Sequence, residues 1–498
     1  MLKKIARGLA VGFAGIVLVF AALYQFAGLR PGFDGTGLMP RFASGGPDYD
    51  ALEADRARQR AGAAPGESAE IVLPTLLVPD PGANPATAPP VPPLATEPRS
   101  GVPAGVEVRV EPEGWTDFRG PGRDGRYTGA PIRTDWPRDG LPLLWKHPIG
   151  PGYASFVVAD GRAFTIEQRR RQEVVAAYDL ATGREVWTDA WDAEFIETMG
   201  GPGPRATPTY HGGLVYALGA MGELRVLDAK SGAVRWRRNI LTENGAPNLD
   251  WGMSGAPLIV DEAVVVLPGG GGGRSVVAYN KATGDELWRS LDDRQAYTSP
   301  MLVTLAGVRQ ITFVSATRVV GLAAENGRLL WEYPWPTSQG INAAQPLLVG
   351  NDRVFVSSGY GQGAAVFEVT RNAERFATRT VWQNTRMKNK FTSPLLHDGY
   401  IYGLDEAILA CVDAATGELR WKGGRYGYGQ AMLAGDRLIV LTEDGEVVQV
   451  RASPTRHEEV ASFPAIEGKT WNHPVIADGR LLVRNIREMA AFDISLPR

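Results

Sequence analysis

A chain of 498 residues with a single cysteine cannot be held by disulfides, and Cys411 alone cannot build a thiolate zinc site, an iron–sulfur cluster or the Cys-x-x-Cys-His attachment of a c-type haem. Its 52 basic residues against 55 acidic ones leave no overall basic field, so nucleic acid is excluded as a partner. The 60 glycines and 13 tryptophans, in a chain too long for one ordinary core, point to a repeat architecture.

Residues 1–30 carry Lys3, Lys4 and Arg7 ahead of an apolar run over residues 9–29 that only Gln25 interrupts. At about 1.5 Å per residue such a run covers the roughly 30 Å hydrocarbon core of a bilayer. The expectation is an uncleaved transmembrane signal anchor in a bacterial inner membrane, single-pass, with the remainder on the periplasmic side because the flanking positive charges stay in the cytoplasm. The competing reading is a cleaved secretory signal and a secreted protein. No A-x-A-like site follows the run, which favours the anchor.

Residues 31–112 are rich in Pro, Ala and Gly, densest in PGANPATAPPVPPLATEPRSGVP. Proline removes ladder donors and little apolar surface is present to bury, so this stretch reads as a flexible linker with an end-to-end distance near 50 Å. Within it DYDALEADRARQR, residues 48–60, has the composition of a transient helix without evident chemistry. Residues 113–142, which begin near WTDFRGPGRDG, read as an extended segment bracing the propeller described next, as a plug or brace outside the ring, with Trp115 and Phe118 as its packing side chains.

Beyond residue 140 an alternating strand, a turn and a tryptophan recur, as in VVAAYDLATGREVW, LRVLDAKSGAVRW, SVVAYNKATGDELW, VVGLAAENGRLLW and ILACVDAATGELRW. Glycine stands four residues before the tryptophan in each copy, at Gly183, Gly232, Gly284, Gly327 and Gly417. Eight residues before it stands Asp179, Asp228, Asn280 or Asp413, whose side chain can accept from the turn's own amides, while the glycine supplies the positive φ of a bulged hairpin. Ala323 takes that place in the fourth copy, so its turn is expected to be less well tied. A further strand pair precedes each hairpin, as in FTSPLLHDGYIYGLD and WNHPVIADGRLLVRN, so each unit holds four short strands. The anchor positions Trp145, Trp187, Trp236, Trp288, Trp331, Trp382, Trp421 and Phe463 are spaced by 39 to 52 residues and dock one unit on the next. The expected fold is all-β: an eight-bladed β-propeller of four-stranded blades over residues 143–498, in which residues 143–146 close the last blade and remove the open sheet edges.

The D-x-x-[ST]-G-x-x-x-W hairpin with its preceding [ST]-P strand resembles the PQQ-like repeat, named for pyrroloquinoline quinone, of eight-bladed propellers. The segments WTDFRGPGRDG, EQRRRQEVVAAYDLATG and SSGYGQGAAVFEV are similar to a large bacterial group described by its likeness to the BamB outer-membrane assembly factor and to quinoprotein alcohol dehydrogenases. The resemblance implies one of two functions. The dehydrogenase likeness implies PQQ over the propeller axis with a calcium ion, an aspartate base and commonly a disulfide of adjacent cysteines, which a single cysteine cannot form. The assembly-factor likeness implies a non-catalytic binding or assembly scaffold for an envelope protein or peptide partner, without a cofactor; its namesake is a lipoprotein, whereas this chain has an apolar run and no cysteine near it. The scaffold is the main reading, and a PQQ-dependent alcohol or sugar dehydrogenase with a divergent site is the alternative.

Aligned repeats put Ser155, Thr207, Ala256, Ser299, Gln345, Ser393, Gln430 and His473 along the axis, where polar walls suit a watered channel. Two positions earlier an aromatic-rich rim appears. The candidate ligand or partner face is Tyr153, Arg205, Trp251, Tyr297, Lys388, Lys390, Tyr428, Trp471, Asn472 and His473. Loop charges are uneven around it, acidic at Asp189, Asp192, Glu194 and Glu197 and basic at Arg386, Lys388, Lys390, Lys422, Arg425 and Lys469, which suits a charged partner. The five dispersed histidines form no metal spacing or triad, and the glycine run 269–273 lacks the Lys-Ser/Thr ending of a P-loop, so no catalytic or metal residue is assigned.

Overall fold

The structure, a computed structural model, describes residues 29–32, 41–44, 47–62 and 114–497. The apolar run over residues 9–28 and most of the Pro-rich stretch lie outside the described residues. Among the described residues no helix is long and apolar enough to cross a membrane.

Eight four-stranded antiparallel blades form a ring, seven of them with strands in sequence order from inner strand A to outer strand D. Blade 1, for example, is Val157–Ala159, Arg162–Arg169, Gln172–Asp179 and Glu185–Asp192. Blade 8 takes Val475–Ala477, Arg480–Arg484 and Glu488–Asp493 from the end of the chain and Leu143–Pro148 as its outer strand, closing the ring.

Recurrence of the hairpin motif follows from recurrence of its contacts. Asp179 Oδ1 accepts from the Thr182 amide at 2.9 Å and its hydroxyl at 2.7 Å, and Asp228 does the same for Ser231. In the fourth copy the Gly327 amide still reaches Ala323 O at 2.9 Å, but the side-chain acceptor moves to Asn326, which takes the Arg328 amide. All eight outer strands are bulged against strand C, in seven blades beside the anchor tryptophan and in blade 7 beside Ala461, two residues before Phe463. The bulge aims the anchor ring sideways onto the hairpin glycine of the next blade. A Cβ on Gly183 would lie 2.6 Å from Trp145, and one on Gly232 2.7 Å from Trp187, in addition to the strain of their positive φ. The indole nitrogens of Trp145, Trp187, Trp236, Trp382 and Trp421 donate across the same seams to carbonyls of the next blade. Trp331 differs: its indole turns to Gln310 of its own blade, because blade 5 ends in a long hairpin, Gly363–Asn372 and Arg375–Asn384, without the Asp-x-x-Thr-Gly turn. Apolar clusters fill the spaces between neighbouring blades.

Two segments depart from what the sequence led us to expect. Residues 114–127 lie inside the ring instead of bracing it from outside. Trp115 pairs with Val158 on the inner edge of blade 1, and Arg126–Tyr127 adds a parallel strand to Gln430–Ala434 of blade 7. The inner edges of a propeller expose unpaired ladder groups to the axis, and this segment satisfies such groups at Val158, Tyr210 and Leu433 of blades 1, 2 and 7. Secondly, Tyr49–Ala61 is a 13-residue helix, α1, within the stretch read as linker. Asp48 caps it by accepting the Ala51 amide, Asp50 lies in its first turn, and Arg58 and Arg60 lie in its last, all favourable to the helix dipole. Leu52, Asp55 and Arg56 are buried against blades 1 and 8. The composition that argued against a core does not prevent docking, because polar groups carry it. Arg56 donates to Asp55, Glu185, Tyr178 Oη and Pro148 O.

Candidate functional site

The axial positions form a hydrogen-bonded seam. The Ser155 amide donates to Thr207 Oγ1, the Ala256 amide to Ser299 Oγ, the Ser299 amide to Gln345 Oε1 and the Gln345 amide to Ser393 Oγ, each crossing to the next blade at 2.7–3.0 Å. Ser155 Oγ reaches His473 O across the ring closure at 2.5 Å. These side chains are polar because strands converging on the axis leave amides that no ladder satisfies. Residues 114–127 pack into the axis against these side chains.

That hairpin is held by two buried arginines. Arg119 donates to Asp124 O and Pro394 O, and burial pushes its guanidinium down to about 10. Arg123 pairs with Asp117 at 3.0 Å and donates to Thr209 Oγ1, Ala256 O, Pro257 O and Pro300 O, tying blades 2, 3 and 4 to the hairpin. Trp115 stacks on His473 at 6.1 Å and Phe118 meets the same imidazole edge-on. Both His473 nitrogens face carbonyls, of Pro474 and Ala431, and burial with Arg119 nearby drives its pKa to about 3. His473 is a neutral wall residue at physiological pH.

Above this floor opens a cavity of about 180 Å³. Its wall gathers Tyr153, Arg205, Trp251, Tyr297, Trp471 and His473 from the expected face with Phe391 of the aromatic rim, and adds Phe118 and Tyr360. The aromatic rings are coupled: Tyr153 and Trp471 lie 5.0 Å apart, Phe391 and Trp471 4.8 Å, and Trp251 and Tyr297 5.6 Å. Cations of the chain itself cover several ring faces. Lys469 Nζ sits 3.6 Å from the Trp471 centroid while donating to Met199 O, and Lys390 Nζ lies over Tyr428 at 4.7 Å and Tyr360 at 5.0 Å. Arg205 lies over Phe195 and Tyr153 and pairs with Glu197 at 3.1 Å.

Four residues of the expected face, Lys388, Lys390, Tyr428 and Asn472, do not line the cavity. Asn472 is fully buried and donates to Gly152 O and Ala154 O. Lys388 shares Asp405 with Lys422, at 3.2 and 2.7 Å. The uneven loop charge is largely answered locally, since Asp189 pairs with Arg225 and Glu197 with Arg205. Phe118 and Tyr360 escaped sequence reasoning because neither occupies the repeated rim offset. The signal available was the Trp115 and Phe118 pair in a segment that must pack somewhere.

A flat tricarboxylate quinone with calcium does not fit these residues. Phe118 and His473 take the axial position, Arg205 is already bound to Glu197 and Gly201 O, and among the described residues no three His, Cys, Asp or Glu side chains converge as metal ligands.

Beside the cavity loop, Glu173 is fully buried, accepts the Ala220 amide at 2.8 Å through Oε1 and has no hydrogen-bond partner for Oε2. Burial pushes its carboxyl up to about 7. A carboxyl raised on folding binds more protons in the folded state, so stability falls as pH rises from about 4.5 towards about 7 and is flat above. Glu173→Gln is expected to flatten that slope and to gain on the order of 3 kcal/mol above pH 7, read by urea unfolding across pH. An unchanged slope would mean that Glu173 titrates normally.

The architecture and its filled axis define an eight-bladed propeller built from PQQ-like repeats. Residues 170–423, just over half of the chain, match the family described as outer membrane protein assembly factor BamB, and the chain belongs to that family. It is 23% identical over 329 residues to the outer membrane protein assembly factor BamB of Burkholderia pseudomallei, covering 62% of this chain and 76% of that protein. Among solved structures it is similar to BamB from Moraxella catarrhalis, at a TM-score of 0.51 and 14% identity over 72% of this chain and 99% of that one. It is also similar to the quinohemoprotein alcohol dehydrogenase ADHIIG of Pseudomonas putida HK5, at 0.57 and 14% over 78% and 82%. At such identities the structural likenesses establish the fold.

Proposed function

We propose that this chain is an inner-membrane-anchored periplasmic scaffold of outer membrane protein assembly, non-catalytic and cofactor-free, that holds an envelope polypeptide at the aromatic cavity. The observation that carries the reading is the aromatic cup itself, floored by Phe118 and His473 and walled by Tyr153, Trp251, Tyr297, Tyr360, Phe391 and Trp471, a surface suited to apolar side chains of a partner. Large aromatic side chains in a desolvated cup supply contact area at low entropic cost, as expected for anchoring a partner's apolar side chains. Membership of the assembly-factor family and the apolar run over residues 9–29 support the envelope setting.

The fold likeness to a quinohemoprotein dehydrogenase favours a second reading, a PQQ-dependent dehydrogenase with a divergent site. Titrating the purified chain with PQQ and calcium, and following both binding and dye reduction with alcohols and sugars, decides between the two. The scaffold reading expects neither saturable binding nor turnover. Stoichiometric binding with turnover would establish the enzyme.

A further inference from the structure

Helix α1 crosses the seam where the ring closes. Arg56 reaches Pro148 O on blade 8 and Glu185 and Tyr178 on blade 1 from the same guanidinium. Gln59 accepts the Glu185 amide, and its carbonyl accepts from Arg184. At its other end Asp50 and Glu53 bind Arg170 at 2.9 and 2.8 Å. Arg170 lies in the B–C turn of blade 1, next to Arg171, whose carbonyl accepts the Ala193 amide at the start of the loop that supplies Glu197, Met199 and Gly200 to the cavity. The first turn of α1 is therefore fixed at the cavity face of blade 1.

The chain before α1 is short in reach. Leu29–Gly32 and Arg41–Ser44 pair antiparallel, with Leu29 opposite Ser44. Paired strands lie about 5 Å apart, and four further residues to Asp48 span at most about 14 Å. The start of α1 thus lies within about 20 Å of Leu29, where the apolar run ends, against the roughly 50 Å of a free 80-residue linker.

We propose that α1 is a clasp that holds the propeller against the lipid surface by its blade 1 edge, with the cavity face next to the membrane. The proposal rests on the membrane anchor of the preceding reading. It assigns the binding partner of this edge as the bilayer itself, and it limits what reaches the cavity to polypeptides presented at the same surface. Residues 63–113 then connect α1 to the axial hairpin without setting the distance to the membrane.

The test uses the full chain in vesicles of phosphatidylethanolamine and phosphatidylglycerol containing an acceptor-labelled lipid. Cys411 is buried, so a donor dye attached at Arg171→Cys or at Glu374→Cys, on the exposed blade 5 hairpin, reports one place. Energy transfer is expected to be several-fold greater from position 171 than from 374. The difference should disappear in Asp50→Asn with Glu53→Gln, which alters two exposed side chains without adding cations, and in Arg56→Met, whose melting curve confirms that the ring is still folded. Equal transfer from both positions in a chain that stays with the vesicles would overturn the clasp and leave the anchor standing. A chain washed from the vesicles by carbonate would overturn both.

Discussion

Replacing Arg123 with methionine is expected to cost about 3–5 kcal/mol, the largest loss of any single substitution outside the blade seams. The residue is 2% exposed, and its five donors meet Asp117, Thr209 and the carbonyls of Ala256, Pro257 and Pro300. Methionine fills most of the volume but removes the charged donor from Ala256 O and Pro300 O and leaves Asp117 and Pro257 O with only the hydroxyls of Thr116 and Thr209, and charged hydrogen bonds at so buried a site are costly to lose. Lysine keeps the charge but cannot reproduce the planar fork, so Arg123→Lys should fall between the two. Urea unfolding of the purified chain, with Arg171→Met as an exposed control, gives the comparison. A loss below about 1 kcal/mol would show that the axial hairpin is an attachment and not part of the ring.

The hairpin also forms the floor of the cavity, so its loosening should be felt at the rim. Arg119 ties the turn next to Phe118 to Pro394 O, and Phe118 in turn meets His473 edge-on. The filled axis thereby links stability to the binding surface through named contacts.

The repeat was legible because one set of short-range bonds is used in blade after blade. Asp179 with Thr182, Gly183 against Trp145 and the bulge beside the anchor leave the same residues at the same spacing each time. Blade 5 hid its turn, since Asn372 and Arg375 end long strands without that motif, yet Trp382 and the bulge at Val366 and Phe367 kept its register visible. The rim offset was legible for Tyr153, Tyr297 and Trp471 for the same periodic reason. Single-copy segments offered no such comparison. Arg123 looks like a surface residue in a Gly-rich loop, and Arg56 looks like one charge in a polar helix; each is buried only because partners distant in sequence converge on it. Asn472 was misplaced because, in the loop between Trp471 and His473, its side chain turns from the cavity to the carbonyls of Gly152 and Ala154.

The second large effect is expected at the rim itself. Trp471 contacts Tyr153 and Phe391, donates to Glu443 Oε1 at 3.0 Å and carries Lys469 on its face, so it is the side chain most closely tied to the rest of the cavity wall. Truncating a central aromatic anchor of this kind costs about 2 kcal/mol or more of binding, roughly thirtyfold in affinity. A photoreactive residue placed at Tyr360, 37% exposed on the rim, in intact cells is the most direct measure of the scaffold reading. It should give one reproducible envelope-polypeptide adduct that is absent when the residue is placed at Glu374, and Trp471→Ala should reduce that adduct about thirtyfold without lowering the amount of protein. Adducts of equal yield from positions 360 and 374, or an adduct indifferent to Trp471, would contradict it.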